Sequence, residues 1–170
     1  MICPDLLKSY LLRRHRQGDA AYPGYLDDYA FLTWGLIELY EATFKISYLE
    51  EAIALNQAMI DIFWDKEDGG LYFTGKGNEL LITRSKRIYD GALPSGNSVA
   101  ALNFLRLGRM TGNVDLEQRA EQLTQAFSEQ VKDQPMAYTQ LLIALDFMVG
   151  PSQEIVIAGD PAPETIVNIE

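Results

Sequence analysis

Long apolar segments alternate with segments that are apolar on one face only, and this alternation constrains the fold more than any other feature of the chain. Residues 29–44, 99–107 and 136–149 are apolar on almost every face that a helix would present. A helix without a polar face is buried on all sides. The pattern therefore predicts three helices that the rest of the fold encloses.

The two segments between them predict helices that cover a core with one face. Residues 48–64 and the segment that ends at Phe127 carry polar residues between narrow apolar stripes. An alternation of enclosed and one-faced helices predicts two layers, so we expect an all-α fold: a partial α/α toroid of repeated helical hairpins. The stripes consist of Leu49, Ala52, Ile53, Met59, Ile60 and Phe63, and of Leu116, Ala120, Leu123 and Phe127.

The two halves of this pattern also align with each other. Residues 43–52 match residues 111–120 at an offset of 68 residues, with Leu39 matching Leu107 and Leu55 matching Leu123. This period is longer than those of common helical repeats because other segments separate the helix pairs. The alignment predicts two structurally equivalent helical hairpins.

Three domain segments follow from these patterns. Residues 1–23 form a lead-in, for which a short helix over residues 6–16 and a strand over residues 10–16 are both compatible with the sequence. Residues 24–150 form the helical domain, with a small β-hairpin (strands 71–74 and 80–83) and a loop inserted at residues 65–95. Residues 151–170 form a tail with a strand at residues 155–158.

Charge and composition exclude several classes of function. The formal net charge of −10 disfavours nucleic acid, and the short basic run at residues 13–16 is typical of a solvated face. One cysteine and one histidine, His15, exclude an internal disulfide and a two-histidine metal site, and we predict no metal or cofactor. Without a membrane-spanning run or a signal peptide, the chain is expected to be a soluble cytoplasmic protein.

Polar residues concentrate where two of the predicted inner helices begin. Residues 84–98 supply cations, a carboxylate and serines directly before the second apolar helix, and Asp27 and Asp28 precede the first. Helix N-termini suit anionic or hydroxyl-rich ligands, and paired carboxylates suit acid–base chemistry. The candidate catalytic residues are Asp27, Asp28 and Asp90, and the candidate substrate-binding residues are Tyr29, Arg84, Lys86, Tyr89, Ser95 and Asn97.

Each candidate also has a structural interpretation. Asp27, Asp28 and Ser95 are suited to cap helices, and Asp90 is suited to a turn. Because residues alternate in an extended segment, Arg84 and Lys86 lie on one side and Arg87 on the other. The two cations either hold an anionic ligand or pair with an acid, for which Asp27, Asp28, Asp68 and Asp90 are the candidates. Residues 65–68 lack the spacing of a calcium loop and predict a solvated turn.

Four motifs in matching order resemble one protein family over about residues 11–161: G-Y-L-D-D-Y-A-F, W-D-K-E-D-G-G-L-Y, R-S-K-R-I-Y-D-G-A-L-P-S-G-N-S-V-A-A-L and A-L-D-F. The chain is similar to the thioredoxin-domain-containing proteins related to spermatogenesis-associated protein 20. The resemblance implies a thioredoxin-like domain followed by a six-hairpin α/α toroid, of the kind found in sugar epimerases and glycoside hydrolases, with this chain matching the C-terminal portion of the toroid. No C-x-x-C motif is present, so the redox activity of that family is not expected here.

The residues and the resemblance together leave two functions open. One is the binding or conversion of a carbohydrate or related polyol, by hydrolase-type or isomerase-type chemistry that this chain alone does not complete. The other is a non-catalytic scaffold or interaction domain, or a truncated remnant of a larger protein. Since five helices cannot close a twelve-helix ring, we expect a homo-oligomer or a longer partner chain to complete the toroid.

Overall fold

The computed structural model describes residues 11–16, 19–76 and 83–151. The described chain is mainly helical, with one small antiparallel sheet near its start. The elements are β1 (Leu12–Arg16), β2 (Asp19–Pro23), α1 (Leu26–Thr43), α2 (Ile46–Phe63), α3 (Gly96–Thr111), α4 (Val114–Ala126), α5 (Ser128–Asp133), a 3₁₀ turn (Pro135–Ala137) and α6 (Thr139–Val149).

Helix α3 is the centre of the fold, since it packs against α1, α4 and α6, while α2 packs mainly against α1. Polar side chains of α3 also bond to α1 beside their apolar interface. The Asn103 side chain donates a hydrogen bond to the backbone oxygen of Ala30 at 2.8 Å. Arg106 forms ion pairs with Glu38 at 2.6 Å and with Glu41 at 2.8 Å. The three apolar helices are thus neighbours, and each of the first two is covered by the helix that follows it.

Only α3 is enclosed in the way that the sequence predicts for all three apolar helices. Nearly every residue from Gly96 to Gly108 is buried. By contrast, Leu32 and Leu39 on α1 are each 45% exposed and Val149 on α6 is 77% exposed. The prediction of full burial is wrong for α1 and α6. Among the described elements, α3 lies between α1 and α6 and is covered on both of these sides, whereas α1 and α6 each have α3 on one side only.

The one-faced helices follow their predicted stripes closely. All four apolar stripe residues that end at Phe127 are buried, and so are those of α2 except Ile53, which is exposed. Asn56 takes a buried position that the stripe left out. The sequence therefore predicts the buried faces of α2 and α4, apart from the exposed Ile53 and the buried Leu55, Asn56 and Thr124 that the stripes leave out.

The internal repeat is confirmed at the ends of α1 and α3. Phe44 and Gly112, which are 68 residues apart in the alignment, both adopt left-handed backbone conformations that end a helix, with φ of 54° and 68°. The hydroxyls of Thr43 and Thr111 each donate to the carbonyl four residues earlier at 2.6 Å. Equivalent residues thus end both helices with the same geometry.

The strand predicted at residues 71–74 does not form, and the described sheet lies at residues 12–23. Strands β1 and β2 pair at residues 12–23, which confirms the strand interpretation of the lead-in. Residues 71–74 form no strand: Leu71 makes a single bridge to Trp64, and its N–H and C=O both bond to the side chain of Asn97. Those two groups are therefore not available to a second strand. The predicted strand residues 80–82 and 155–158 lie outside the described residues.

Candidate functional site

Hydrogen bonds join the starts of α1, α3 and α6 around the segment that precedes α3, residues 84–95, which we call the connector. Asp27, in the first turn of α1, accepts a hydrogen bond from Gly96 N at 3.0 Å. Asp90, in the connector, accepts one from Ser95 N at 2.8 Å through one oxygen and one from Gln140 N at 2.9 Å through the other. The structure thus brings two candidate carboxylates and a candidate serine into one network.

Asp27 is held against the backbone of α3, where partial burial raises the pKa of its carboxyl group. The Gly96 hydrogen bond and the positive charges of Arg87 and Arg13 oppose this shift. A side chain at position 96 would place its Cβ 2.5 Å from Asp27 Oδ1, so only glycine permits this approach. A raised pKa is a property that a general acid requires.

Asp28 stabilises the start of its own helix. Its Oδ2 accepts a hydrogen bond from Tyr25 N at 2.8 Å, which satisfies a backbone donor at the helix start, and it lies 3.7 Å from Arg13 Nε. Asp27 and Asp28 lie within the first turn of α1 rather than before it. The two adjacent carboxylates therefore bond to different elements.

Tyr29 lies in the core. Its ring is buried and packs edge-on against Phe63 with ring centroids 5.2 Å apart. Its hydroxyl accepts a hydrogen bond from Leu11 N at 2.7 Å. Tyr29 therefore ties the segment before β1 to α1, and its ring does not reach an open surface.

Asp90 caps two elements at once. Besides Ser95 N and Gln140 N, its carboxylate accepts a longer hydrogen bond from Leu141 N at 3.3 Å, and its own N–H donates to Ala137 O at 2.9 Å. It thus stabilises the start of α6, which lies 50 residues further along the chain. Both carboxylate oxygens bond to backbone donors.

Ser95 and Asn97 are buried at the start of α3. Ser95 caps the helix, with its Oγ accepting from Ser98 N at 3.1 Å. Asn97 Oδ1 accepts from Leu71 N, and its Nδ2 donates to Leu71 O and to Arg87 O, each at 2.8 Å. Both residues hold the connector on α3 with internal hydrogen bonds.

Arg84 and Lys86 lie on the same side of the connector, as the alternation predicts. The Arg84 guanidinium carbon is 4.0 Å and Lys86 Nζ is 5.3 Å from the centroid of the Tyr72 ring. Arg87 stacks instead on Phe73 at 3.7 Å. Arg84 also donates two hydrogen bonds to Thr74 O.

The acid partner of Lys86 is Asp65, which the sequence analysis placed in a solvated turn. That assignment is wrong for Asp65, because the residue is only 7% exposed and its Oδ2 lies 2.6 Å from Lys86 Nζ. The hydrogen bond from Lys86, with further bonds from Glu67 N and the Tyr72 hydroxyl, lowers the pKa of Asp65 to about 2. The Asp65 carboxylate in turn raises the pKa of Tyr72.

Sequence reasoning missed this pair for a physical reason. The sequence offers Asp27, Asp28, Asp68 and Asp90 as partners, and Asp65 is not among them. A hydrogen bond from Asp65 N to Gly70 O closes the turn and orients the carboxylate toward the connector. The glycine pair after Asp68, where both residues adopt positive φ, is the sequence signal for this sharp turn.

Tyr89 is exposed and lines a shallow surface cleft of about 460 Å³ together with residues 134–137. A second cleft, of about 430 Å³, lies between the turn at residues 64–69 and α4. A third, of about 390 Å³, lies beside the β1–β2 hairpin. None of these three clefts is lined by Asp27, Asp28 or Asp90.

Within residues 11–16, 19–76 and 83–151, no group of three or more histidine, cysteine, aspartate or glutamate residues is arranged to hold a metal ion. No helix in the same part of the chain has the length and apolar character that crossing a membrane demands.

Sequence comparison identifies relatives over most of the chain. Spermatogenesis-associated protein 20 of Rattus norvegicus is 42% identical over 141 residues, and that of Homo sapiens is 41% identical over 140 residues; each match covers 81% of this chain. The chain belongs to the family of spermatogenesis-associated protein 20. An uncharacterised family relative from Caenorhabditis elegans is 31% identical over 150 residues, or 88% of the chain. No protein-family model matches the chain.

The matched region spans only about a fifth of these family members. It covers 18% of the rat and human proteins and 20% of the Caenorhabditis elegans protein. The relationship therefore establishes the family of this region, and the activity of the longer proteins is a separate question.

Proposed function

We propose that this chain is a non-catalytic helical scaffold, in which the polar residues around the connector hold three helix starts in place. The observation that carries the proposal is the bonding of Asp90. Both of its oxygens accept hydrogen bonds from backbone N–H groups of α6 and of the connector. A carboxylate used in this way stabilises a helix start, and a substrate would have to compete with these hydrogen bonds.

The other residues around the connector support the same function. Asp28, Ser95 and Asn97 each satisfy backbone groups of the chain itself. Lys86 bonds to Gly69 O at 2.7 Å as well as to Asp65. Buried polar groups with their hydrogen bonds satisfied specify one arrangement of a loop, and this is the role that we assign to them.

The test compares Asp90→Ala with Asp146→Asn, which alters an exposed carboxylate on α6. We expect Asp90→Ala to lower the free energy of unfolding by about 2–3 kcal/mol, because three backbone donors lose their acceptor, and Asp146→Asn to change it by less than about 0.5 kcal/mol.

Thermal unfolding of the unmodified protein with a panel of sugars and sugar acids should show no stabilisation. A rise in Tm with one of them would contradict the scaffold proposal.

A carbohydrate or polyol site is the second candidate, favoured by one observation. Asp27 is only partly buried, and burial raises its pKa, which is the direction of shift that favours a general acid. In this alternative, α1, α3 and α6 are inner helices of an α/α toroid, and Asp27 faces the central funnel of that toroid. The sugar panel decides between the two, since ligand stabilisation that disappears in Asp27→Asn but persists in Asp146→Asn would support the site.

The proposed scaffold includes association with a second copy of the chain in the cytoplasm. Exposed apolar residues on α1 and α6, the two outer helices of the described row α1–α3–α6, support it: Leu32, Leu39, Ile143 and Val149. Sedimentation analysis should give a mass of at least twice the 19.1 kDa of one chain. The double variant Leu32→Glu with Leu39→Glu should reduce the measured mass to that of a single chain. A monomer at every concentration would contradict self-association and would favour association with a longer partner chain.

A further inference from the structure

A basic and aromatic cleft lies beside the β1–β2 hairpin, away from the hydrogen-bond network of the connector. Its walls are formed by Arg13, Arg14, Tyr22, Pro23 and Tyr25, and its volume is about 390 Å³. We propose that this cleft binds a small ligand that carries a phosphate or carboxylate group on a flat ring. The ring would lie against the exposed ring of Tyr22 while the guanidinium groups of Arg13 and Arg14 bind the anion.

The two arginines are already arranged as anion-binding groups commonly are. The guanidinium carbon of Arg13 is 4.8 Å from the centroid of the Tyr25 ring, and that of Arg14 is 4.9 Å from the centroid of the Tyr22 ring. A guanidinium group that stacks on a ring keeps its N–H donors at its edge. Those donors match the paired oxygens of a carboxylate or a phosphate.

Both guanidinium groups also remain weakly paired in a strongly acidic protein. The chain carries 24 acidic residues against 14 basic ones. Even so, Arg14 forms no ion pair with any residue that the structure describes, and Arg13, whose side chain is 54% exposed, reaches Asp28 only at 3.7 Å. An external anion would therefore find Arg14 without an ion pair among the described residues, and Arg13 with only its long contact to Asp28.

The backbone of Tyr22 gives independent support. Tyr22 has φ of 67°, a left-handed conformation that is unfavourable for a residue with a large side chain. Its ring is exposed and contacts Arg14, so core packing does not explain the conformation. Backbone strain of this kind concentrates at ligand-binding sites, where the surrounding structure maintains it.

The hairpin that carries the cleft is anchored to the helical core. Leu11 N donates to the buried Tyr29 hydroxyl at 2.7 Å, and Gly24 N donates to Leu11 O at 2.7 Å. The Tyr25 ring stacks on Phe73 with centroids 4.9 Å apart. The cleft thus has one wall on the hairpin and one wall fixed at the start of α1, which holds its shape before a ligand binds.

The experiment is calorimetric titration of the full chain with three probes: phenyl phosphate, benzoate and benzyl alcohol. We expect phenyl phosphate, benzoate or both to bind and benzyl alcohol not to bind, because the anion supplies the interaction with the arginines. Tighter binding of phenyl phosphate would identify a phosphate-bearing ligand, and tighter binding of benzoate a carboxylate-bearing one. Absence of binding by both anions at millimolar concentrations, or equal binding of benzyl alcohol, would overturn the proposal.

Arg14→Gln and Arg16→Gln form a matched pair of variants. Both arginines are exposed on β1, but only Arg14 lines the cleft. Loss of a charge-assisted hydrogen bond predicts about tenfold weaker binding for Arg14→Gln and an unchanged affinity for Arg16→Gln. Arg13→Gln, which alters the second arginine of the cleft, should weaken binding as Arg14→Gln does. Equal weakening by Arg16→Gln and Arg14→Gln would mean a diffuse charge effect, and the cleft would then not be the site.

Discussion

The side-chain amide of Asn97 pairs with both backbone polar groups of Leu71, which lies 26 residues earlier. Both hydrogen bonds measure 2.8 Å, so the amide takes the place of a neighbouring strand. A third bond, to Arg87 O, attaches the connector to the same side chain. Asn97 thereby joins the 65–76 segment, the connector and α3 at one buried point.

Replacement of Asn97 should be among the more destabilising single changes in the protein. Asn97→Ala leaves a buried N–H and two carbonyl groups without a partner, so we expect the free energy of unfolding to fall by about 3–5 kcal/mol in urea denaturation. Asn113→Ala is the control, since Asn113 caps α4 from an exposed position and should cost about 1 kcal/mol. Similar losses from the two variants would contradict the role assigned to Asn97.

Asn97 also shows which parts of the structure the sequence can and cannot predict. The apolar periodicity around it predicts α3 and its burial, because each helical turn repeats the pattern locally. The Asn97–Leu71 bond depends on where a distant loop lies once α3 is packed, and nothing in the local sequence encodes that position. The same limit explains why the sequence wrongly predicts a strand at Leu71 and does not predict Asp65 as the acid partner of Lys86.

The Asp65–Lys86 pair should make stability depend on pH under acidic conditions. The pKa of Asp65 is about 2 in the folded protein, below its ordinary value of 3.8. The carboxylate therefore stabilises the fold fully above pH 3.8, and this contribution is lost as the pH falls toward about 2. Allowing for solvent screening near the surface, we expect a contribution on the order of 1 kcal/mol.

Urea denaturation of Asp65→Asn across this pH range measures the effect. The variant should lack this acid-dependent loss of stability and should be less stable than the unmodified protein above pH 3.8. Because Asp65→Asn leaves Lys86 without its carboxylate, the double variant Asp65→Asn with Lys86→Met provides the control. An unchanged pH dependence in Asp65→Asn would show that other carboxylates cause the acid loss.

Phe44 and Gly112 offer a test of the internal repeat, since both end a helix with positive φ. An added Cβ at Gly112 would meet no atom within 4 Å, so Gly112→Ala changes only the backbone preference and should destabilise the protein by about 1 kcal/mol. Phe44→Gly should act in the opposite direction. Glycine removes about 1–2 kcal/mol of left-handed backbone strain from the folded state. This gain exceeds the cost of about 0.5–1 kcal/mol that the greater conformational entropy of glycine in the unfolded chain adds.

Thermal unfolding of both variants gives the measurement. Gly112→Ala should lower Tm, and Phe44→Gly should leave it unchanged or raise it slightly. The equivalence of the two positions could be predicted from the 68-residue offset, but the left-handed conformation at position 44 could not, because phenylalanine rarely adopts it. A large loss of stability in Phe44→Gly would show that the exposed ring makes contacts that outweigh the strain.

Asp27 should give a pH dependence of opposite sign to that of Asp65. Its pKa in the folded protein is raised above 3.8, chiefly by burial, so folding favours the protonated form. The associated stability is present below pH 3.8 and is lost as the pH rises through the folded-state pKa. Asp27→Asn should remove this loss, because an amide oxygen still accepts the hydrogen bond from Gly96 N without a buried charge. The ¹³C chemical shift of the Asp27 carboxyl, followed by NMR through a pH titration, measures the pKa directly, and a midpoint at or below 3.8 would contradict this account.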